Sequence, residues 1–365
     1  MQTIAILFLI YANNVLLHKR MQSTIFEKYY KKVKQAAVTI KDIARELNIS
    51  TATVSRALNN HPALSNETTQ RVKDLAEKLG YQPNIVAFNL KKRKTKSIGI
   101  IVPNLAHHYF SNIISGAQEH LYKNGYNVLI SQSNDNPKLE KEAIKNMISN
   151  GIDGLLISMS IDNHDLSYFH TIIEKGIPMV FFDRYDFSLE SKVSSVTIDD
   201  FQGSYDATRA LIESEARKIA FVGINSNINI GYNRMAGFRK AMQDFQLPID
   251  SSLIFEINNT IADANEVAQK LILSKNSIDG VFCTTGLITL ACNSEFRRQK
   301  SYHKHPRVAG FLNDLYEGYI ENEVIRIISP THLMGVTSSQ LILDQILNDK
   351  VDVKKIVLPT QLIQD

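Results

Sequence analysis

The chain has 365 residues, long enough for two or three domains and a sizeable core, and its composition is that of an ordinary globular protein: 44% hydrophobic, 21% charged, no Trp. The formal net charge of +4 conceals an asymmetry, because residues 1–97 hold 17 Lys and Arg against 6 Asp and Glu while the remainder holds 24 against 31. A basic head on an acidic body suits a head that meets a polyanion and a body that does not.

Residues 1–20 open on an apolar run, Ile4 to Ala12, without a basic leader or a convincing cleavage site. The run is also too short to span a membrane. An upstream translation start, with Met21 as the natural one, is preferred over a cryptic anchor. Residues 21–35, rich in Lys and Tyr, read as a loose basic arm.

The stretch VTIKDIARELNISTATVSRALNN, Val38 to Asn60, carries two short helices. Ile40, Ile43, Ala44 and Leu47 fall at i, i+3, i+4 and i+7. Thr39 and Asp42 form an [ST]-x-x-[DE] capping box ahead of them. The pattern breaks at Asn48-Ile49-Ser50, and Ser50 caps a second helix whose buried side is Val54, Ala57 and Leu58. Its other side shows Thr51, Ala52, Ser55 and Arg56. Such a pair describes a helix-turn-helix whose second helix enters a DNA major groove. After Asn59-Asn60-His61-Pro62, a third helix runs from a Ser65 cap to Gly80, with Val72, Leu75, Ala76 and Leu79 facing inward.

In QPNIVAFNLKKRKTK, residues 82–96, Pro83 suits the first turn of a short helix. That helix is apolar through Ile85, Val86, Phe88 and Leu90, and it ends in Lys91, Lys92, Arg93, Lys94 and Lys96. It fits a segment that pairs with a twin and wedges a Leu into a minor groove while its Lys and Arg neutralise phosphates.

From Ser97 onward short apolar strands alternate with helices. SIGIIVPN, NVLISQSN, DGLLISMS and IPMVFFDR form a first series; SSVTID, KIAFVGI, SLIFEI, DGVFCTT and RVAGFL form a second. The expected fold class is α/β, with two doubly wound parallel-sheet lobes preceded by an all-α helix-turn-helix head. A ligand belongs in the cleft beyond the carboxyl ends of the strands. No phosphate loop or dinucleotide fingerprint occurs, so no cofactor is expected. Cys283 and Cys292 read as small core residues of a reducing compartment. His107-His108 and His303/His305 read as surface residues rather than metal ligands.

With these motifs in place, residues 38 to about 360 resemble the lac repressor / galactose repressor family of bacterial transcription regulators. The resemblance rests on VTIKDIARELNISTATVSRALN and GYQPNIVAFNLKKRKTKSIGIIVP, then on FFDR, NRMAGFRKA and the closing VLPTQLI. It implies a periplasmic-binding-protein-like core and base reading by Thr51, Ala52 and Arg56. It implies phosphate contacts from Ser50, Thr53, Ser55 and Asn59, and hinge contacts from Asn84, Ala87 and Leu90, the last inserted at the operator centre. Phe88 departs from the basic or polar residue usual there; it either strengthens hinge packing or prevents the usual groove fit.

The resemblance further implies an effector pocket containing Arg234, which grips hydroxyls or a carboxylate, and Asp183-Arg184. Tyr109 and Phe110 either stack on a ligand ring or pack in the core. The family's Asn-Asp is here Thr285-Gly286, its Phe-Asp-Asp is Phe311-Leu312-Asn313, and its Gln-Pro is Ser329-Pro330. These exchanges remove two carboxylates and an amide that, by the resemblance, bind sugar hydroxyls, so the effector is a sugar, a less polar or anionic molecule, or absent.

The domains expected are an extension (1–37), the head (38–82), a hinge and basic linker (83–96) and the core (97–365). Within the core, one lobe takes about 97–195 with 328–348 and the other about 196–324 with 352–365. The whole reads as a cytoplasmic, homodimeric, sequence-specific DNA-binding repressor of a metabolic operon. Its partners are a near-palindromic operator and a small molecule between the lobes, and it is not an enzyme. The alternatives are a sugar-binding protein without a DNA role and a regulator that has lost effector control. No heptad tail follows Leu362, so tetramers are not expected.

Overall fold

The computed structural model describes residues 38–81, 95–161, 163, 165–225, 227–274, 278–298, 305–312, 324–348 and 352–364. The extension, the hinge with Asn84, Ala87, Phe88 and Leu90, and Asn313 lie outside these residues. The chain divides into two units, residues 1–92 and 93–365.

The described part of the first unit is three helices: α1 (Ile40–Leu47), α2 (Thr51–Leu58) and α3 (Asn66–Lys78). The Thr39 backbone N–H donates to Asp42 Oδ2 at 2.9 Å, and the Thr39 hydroxyl donates to the same oxygen at 2.7 Å. Asn48 closes α1 in the left-handed conformation (φ 54°), which Asn tolerates better than most residues. Ser50 and Ser65 accept from the backbone N–H of Thr53 and Thr68, at 3.0 and 3.2 Å, and so start α2 and α3. The three helices close over Ile43, Ala44, Val54, Ala57, Val72 and Ala76, with Ile40, Leu47, Leu58, Leu75 and Leu79 packed around them. This is the core the periodicity called for.

The second unit holds two six-stranded sheets. The first comprises β1 (Ser97–Val102), β2 (Asn127–Gln132), β3 (Gly154–Ile157), β4 (Met179–Phe182), β5 (Ser194–Ile198) and β11 (Lys355–Leu358), in spatial order β11-β5-β4-β3-β1-β2, all parallel. Its helices are α4 (His108–Lys123), α5 (Pro137–Ser149), α6 (Ser167–Glu174) and α11 (Thr331–Leu347). The second sheet comprises β6 (Ile219–Gly223), β7 (Ile254–Glu256), β8 (Gly280–Cys283), β9 (Arg307–Phe311), β10 (Val324–Ile328) and β12 (Gln361–Ile363). Its order is β12-β10-β9-β8-β6-β7, with β12 alone antiparallel. It carries α7 (Asp200–Glu213), α8 (Asn229–Asp244), α9 (Ile261–Leu273) and α10 (Gly286–Arg298).

Three expectations need correction. SSVTID was placed with the second series, but β5 pairs with β4 and β11 in the first sheet, so the boundary near 195 falls inside a strand and the chain crosses at Asp199. Segment 352–365 was given wholly to the second lobe, yet β11 completes the first sheet and only β12 joins the second. The chain crosses back after β10, so residues 324–328 belong to the second lobe. Each lobe therefore closes with a strand borrowed from the far end of the chain, and three crossings join the two.

In each lobe, glycine lets a helix pair approach closely. A Cβ on Gly335 of α11 would lie 1.9 Å from the Ile113 carbonyl oxygen of α4, and one on Gly116 would lie 2.2 Å from that of His332. In the second lobe, a Cβ on Gly237 of α8 would lie 2.2 Å from the Phe201 carbonyl oxygen of α7.

Candidate functional site

The capped start of α2 fixes which side chains of the head face outward. Thr51, Ala52, Arg56 and Asn59 are exposed while Val54 and Ala57 are buried beneath them. Arg56 makes no ion pair among the described residues, so its guanidinium fork is open to a guanine edge, and the Ala52 methyl is open to a thymine methyl. The expected phosphate-contacting residues also have internal work. The Ser50 and Thr53 hydroxyls share a hydrogen bond of 2.8 Å, and Asn59 Nδ2 donates to the Ser55 carbonyl at 2.7 Å. These bonds preset the side chains at the helix ends, where phosphates would lie.

The charge of the head is not where the bulk count suggested. Residues 38–81 hold 6 basic against 5 acidic side chains; the excess belongs to 1–37, with 6 against 1, and to 82–97, with 5 against none. The head itself thus carries almost no net charge, and the flanking segments carry most of the positive charge.

In the second unit a cleft of about 610 Å³ opens between the lobes, at the carboxyl ends of the strands, where doubly wound sheets place their ligands. All seven expected effector residues line it: Tyr109, Phe110, Asp183, Arg184, Arg234, Thr285 and Leu312. Tyr109 and Phe110 enter on the first turn of α4 and meet edge to face, centroids 5.2 Å apart. Phe110 is buried, so it belongs to the core, while Tyr109 is half-buried and donates from its hydroxyl to Asp183 Oδ1 at 2.7 Å. Burial, and then the Asp183 charge, push the Tyr109 phenol well above its usual range.

Asp183 follows β4 in the left-handed conformation (φ 62°). The turn is held from the other lobe by Asn229, whose Nδ2 donates to the Asp183 carbonyl at 2.8 Å and whose Oδ1 accepts from the Tyr185 N–H at 2.9 Å. One amide of α8 thus pins the strand-end turn of the opposite lobe. Arg184 Nη1 pairs with Asp135 Oδ1 at 2.6 Å.

Arg234, on α8, is almost wholly buried. Its Nε donates to Asp200 Oδ1 at 2.7 Å, its Nη1 to the Thr284 carbonyl, and the guanidinium lies 3.7 Å from the Phe311 ring centroid. Burial raises the Asp200 carboxyl to about 6, although the Arg234 charge pulls it down. The expected ligand-gripping arginine is therefore also a tie between α7, α8 and β8.

His305 is exposed as expected, His303 lies outside the described residues, and the other two histidines depart from expectation. His107 and His108 are half-buried and line the cleft rather than the open surface, because they start α4 at the end of β1. Burial, then the Arg184 charge, hold His107 below the usual imidazole range. Sequence reasoning also missed Asn259, which accepts from the Thr285 hydroxyl at 2.7 Å, and the α10 face bearing Leu287, Leu290, Ser294 and Arg298. The α10 face was legible in principle as an i, i+3, i+7, i+11 stripe. Asn259 left no signal. Among the described residues no cluster of three or more His, Cys, Asp or Glu is placed to hold a metal, and no helix is long and apolar enough to cross a membrane.

Comparison with known proteins agrees with both halves. Residues 39–84 match the family described as bacterial regulatory proteins, lacI family, and residues 95–365 match periplasmic binding proteins and sugar binding domain of LacI family. The chain belongs to the LacI family. Among its relatives, the HTH-type transcriptional regulator RegA of Clostridium saccharobutylicum is 29% identical over 331 residues, covering 90% of this chain and 98% of that one. The structure titled transcriptional regulator CelR-cellobiose complex superposes with a TM-score of 0.65 at 25% identity, over 89% of this chain and 98% of the other. The lac repressor dimer bound to operator and an anti-inducer gives 0.76 at 20% identity, over 90% and 98%. As a LacI-family member the chain is a DNA-binding transcriptional regulator, with the family's reading head and its two-lobed core.

Proposed function

We propose that two copies of this chain read the half-sites of a near-palindromic operator and repress a metabolic operon, and that a small molecule between the core lobes sets operator affinity. The observation that carries this reading is the joining, in one chain, of an exposed Thr51–Ala52–Arg56 face to a cleft lined by all seven expected effector residues. Paired heads one helical turn apart account for half-site spacing in helix-turn-helix dimers. Ser50, Thr53, Ser55 and Asn59 hold phosphates and set register, Arg56 reads a guanine, and Asn84, Ala87 and Leu90 meet the operator centre. The chain works in the cytoplasm, where its DNA lies, and carries out no catalysis.

An effector shifts the angle between lobes only through a difference in affinity for the two arrangements. The Asn229 bridge and the three crossings are the contacts such a difference would act on. The test is a footprint of the purified protein on DNA upstream of its own gene, repeated with candidate sugars and organic anions. Protection of two related half-sites, altered by one of these compounds, is the expected result. Uniform protection without sequence preference would overturn the reading.

A further inference from the structure

Cleft residues on α10 fall in a graded stripe. Leu287, Leu290, Ala291, Ser294 and Arg298 stand at i, i+3, i+4, i+7 and i+11, which places them on one helical face. The stripe passes from three apolar side chains, through a hydroxyl, to a guanidinium. Facing its apolar end are Leu312 and Ile261, the latter 60% exposed although it is large and hydrophobic. At its far end Arg298 is 75% exposed and reaches only 3.8 Å from Glu295.

Of the carboxylate and guanidinium groups lining the cleft, Arg298 alone makes no hydrogen bond among the described residues. A polyhydroxy ligand needs acceptors as well as donors, and each of these carboxylates already accepts from a protein donor, although Asp200 Oδ2 stays buried without a partner. Asp183 accepts from Tyr109, Asp200 from Arg234, Asp135 from Arg184, and Glu295 from Gln269 at 3.2 Å. The Asn259 carbonyl oxygen accepts from Thr285. By contrast the Arg298 guanidinium can only donate, and Ser294 and Asn265, which can both donate and accept, line the cleft without a side-chain hydrogen bond among the described residues. The amino ends of α4, α9 and α10 open onto the same space, and each adds partial positive charge.

We propose that this cleft selects a small organic acid: an apolar chain or ring seated on Leu287, Leu290 and Leu312, with its carboxylate at Arg298. The proposal rests on reading the cleft as the effector site and names the class of effector. The axial distance from Leu290 to Arg298 is about 12 Å at a helical rise of 1.5 Å per residue. Because Arg side chains lean toward the amino end of their helix, the span left to bridge suits a chain of about six to ten carbons or a short arylalkanoate.

Octanoate and 4-phenylbutanoate, their neutral alcohols, and ribose, glucose and cellobiose would be titrated calorimetrically into the full-length protein. The acids should bind at least ten-fold tighter than the alcohols, and the sugars more weakly still. Arg298→Gln, at an exposed position, should erase the preference for acid over alcohol. Leu290→Asn should weaken acid and alcohol alike. Sugars binding as tightly as the acids, no binding by either acid, or an acid preference that survives Arg298→Gln would each overturn the proposal. Operator binding measured in parallel separates the two ideas: acids that bind without altering it would leave the ligand class standing and remove the regulatory reading.

Discussion

Arg56 and Arg234 carry the same fork of donors and do different work, because one is exposed on α2 and the other is enclosed between α7, α8 and β8. If Arg56 reads a guanine as proposed, truncation to Ala removes a bidentate base contact and little else. The expected cost at the operator is about 1–3 kcal/mol, with one base position blurred. Binding selections on randomised sites check this, and an unchanged preference at every position would remove Arg56 from the reading face. For the buried pair, the Asp200 carboxyl stands near 6, above the ordinary value of 3.8 expected for the unfolded chain. A raised folded value means that its contribution to stability is complete below about pH 4 and is lost as pH rises through 6. Asp200→Asn has no such loss. The difference in unfolding free energy between variant and parent should therefore move toward the variant by about 2 kcal/mol from pH 4 to pH 7, at no more than about 1.4 kcal/mol per pH unit. Denaturant titrations at both pH values measure it; a constant difference would contradict the assignment.

At the scale of elements, helix starts and amphipathic faces were readable because each leaves a local mark. Thr39 with Asp42, Ser50, Ser65 and the inward spacing of Val72 and Ala76 all appear where the capping and 3.6-residue patterns put them. The strands were readable where four or more apolar residues run together, as in β1, β3 and β4. Lobe membership was not. β5 follows β4 in sequence and precedes α7, and nothing in SSVTI records which sheet it joins. β11 and β12 have only four and three residues and are separated by Pro359-Thr360, too short for any period to emerge. The close helix pairs were equally silent, since a glycine at a helix crossing looks like any other helical glycine. Gly335→Ala should force α11 away from the Ile113 carbonyl and destabilise the core by roughly 1–3 kcal/mol, as over-packing does. Thermal unfolding would show it, and an unaltered midpoint would mean that the helices can part freely.

Over the whole molecule, function is divided between parts whose physics differs. The head reads with a nearly neutral domain flanked by strongly basic segments, so its operator affinity should fall steeply with salt while its base preference does not. The core site was legible as a set of residues, since all seven expected positions line one cleft. Their roles were less legible, because Arg234, Asp183 and Thr285 turn out to be bonded to protein partners that lie far off in sequence. Asn229 is the clearest case of a residue with no sequence signal and a large structural reach. Asn229→Ala removes both side-chain hydrogen bonds that tie α8 to the turn at Asp183 and Tyr185 and leaves only the longer bond from the Asn229 backbone N–H to the Tyr185 carbonyl. It should increase amide exchange in that turn and change the effector response of operator binding. Exchange and response both equal to the parent would show that the bridge does not couple the lobes.

DNA recognition by paired heads is the central claim, and selection of binding sites from random duplexes by the purified full-length protein measures it. The expected outcome is a near-palindromic consensus whose half-sites lie about one helical turn apart, and which loses one defined base pair per half-site in Arg56→Ala. A single unpaired half-site, or enrichment without any consensus, would contradict it.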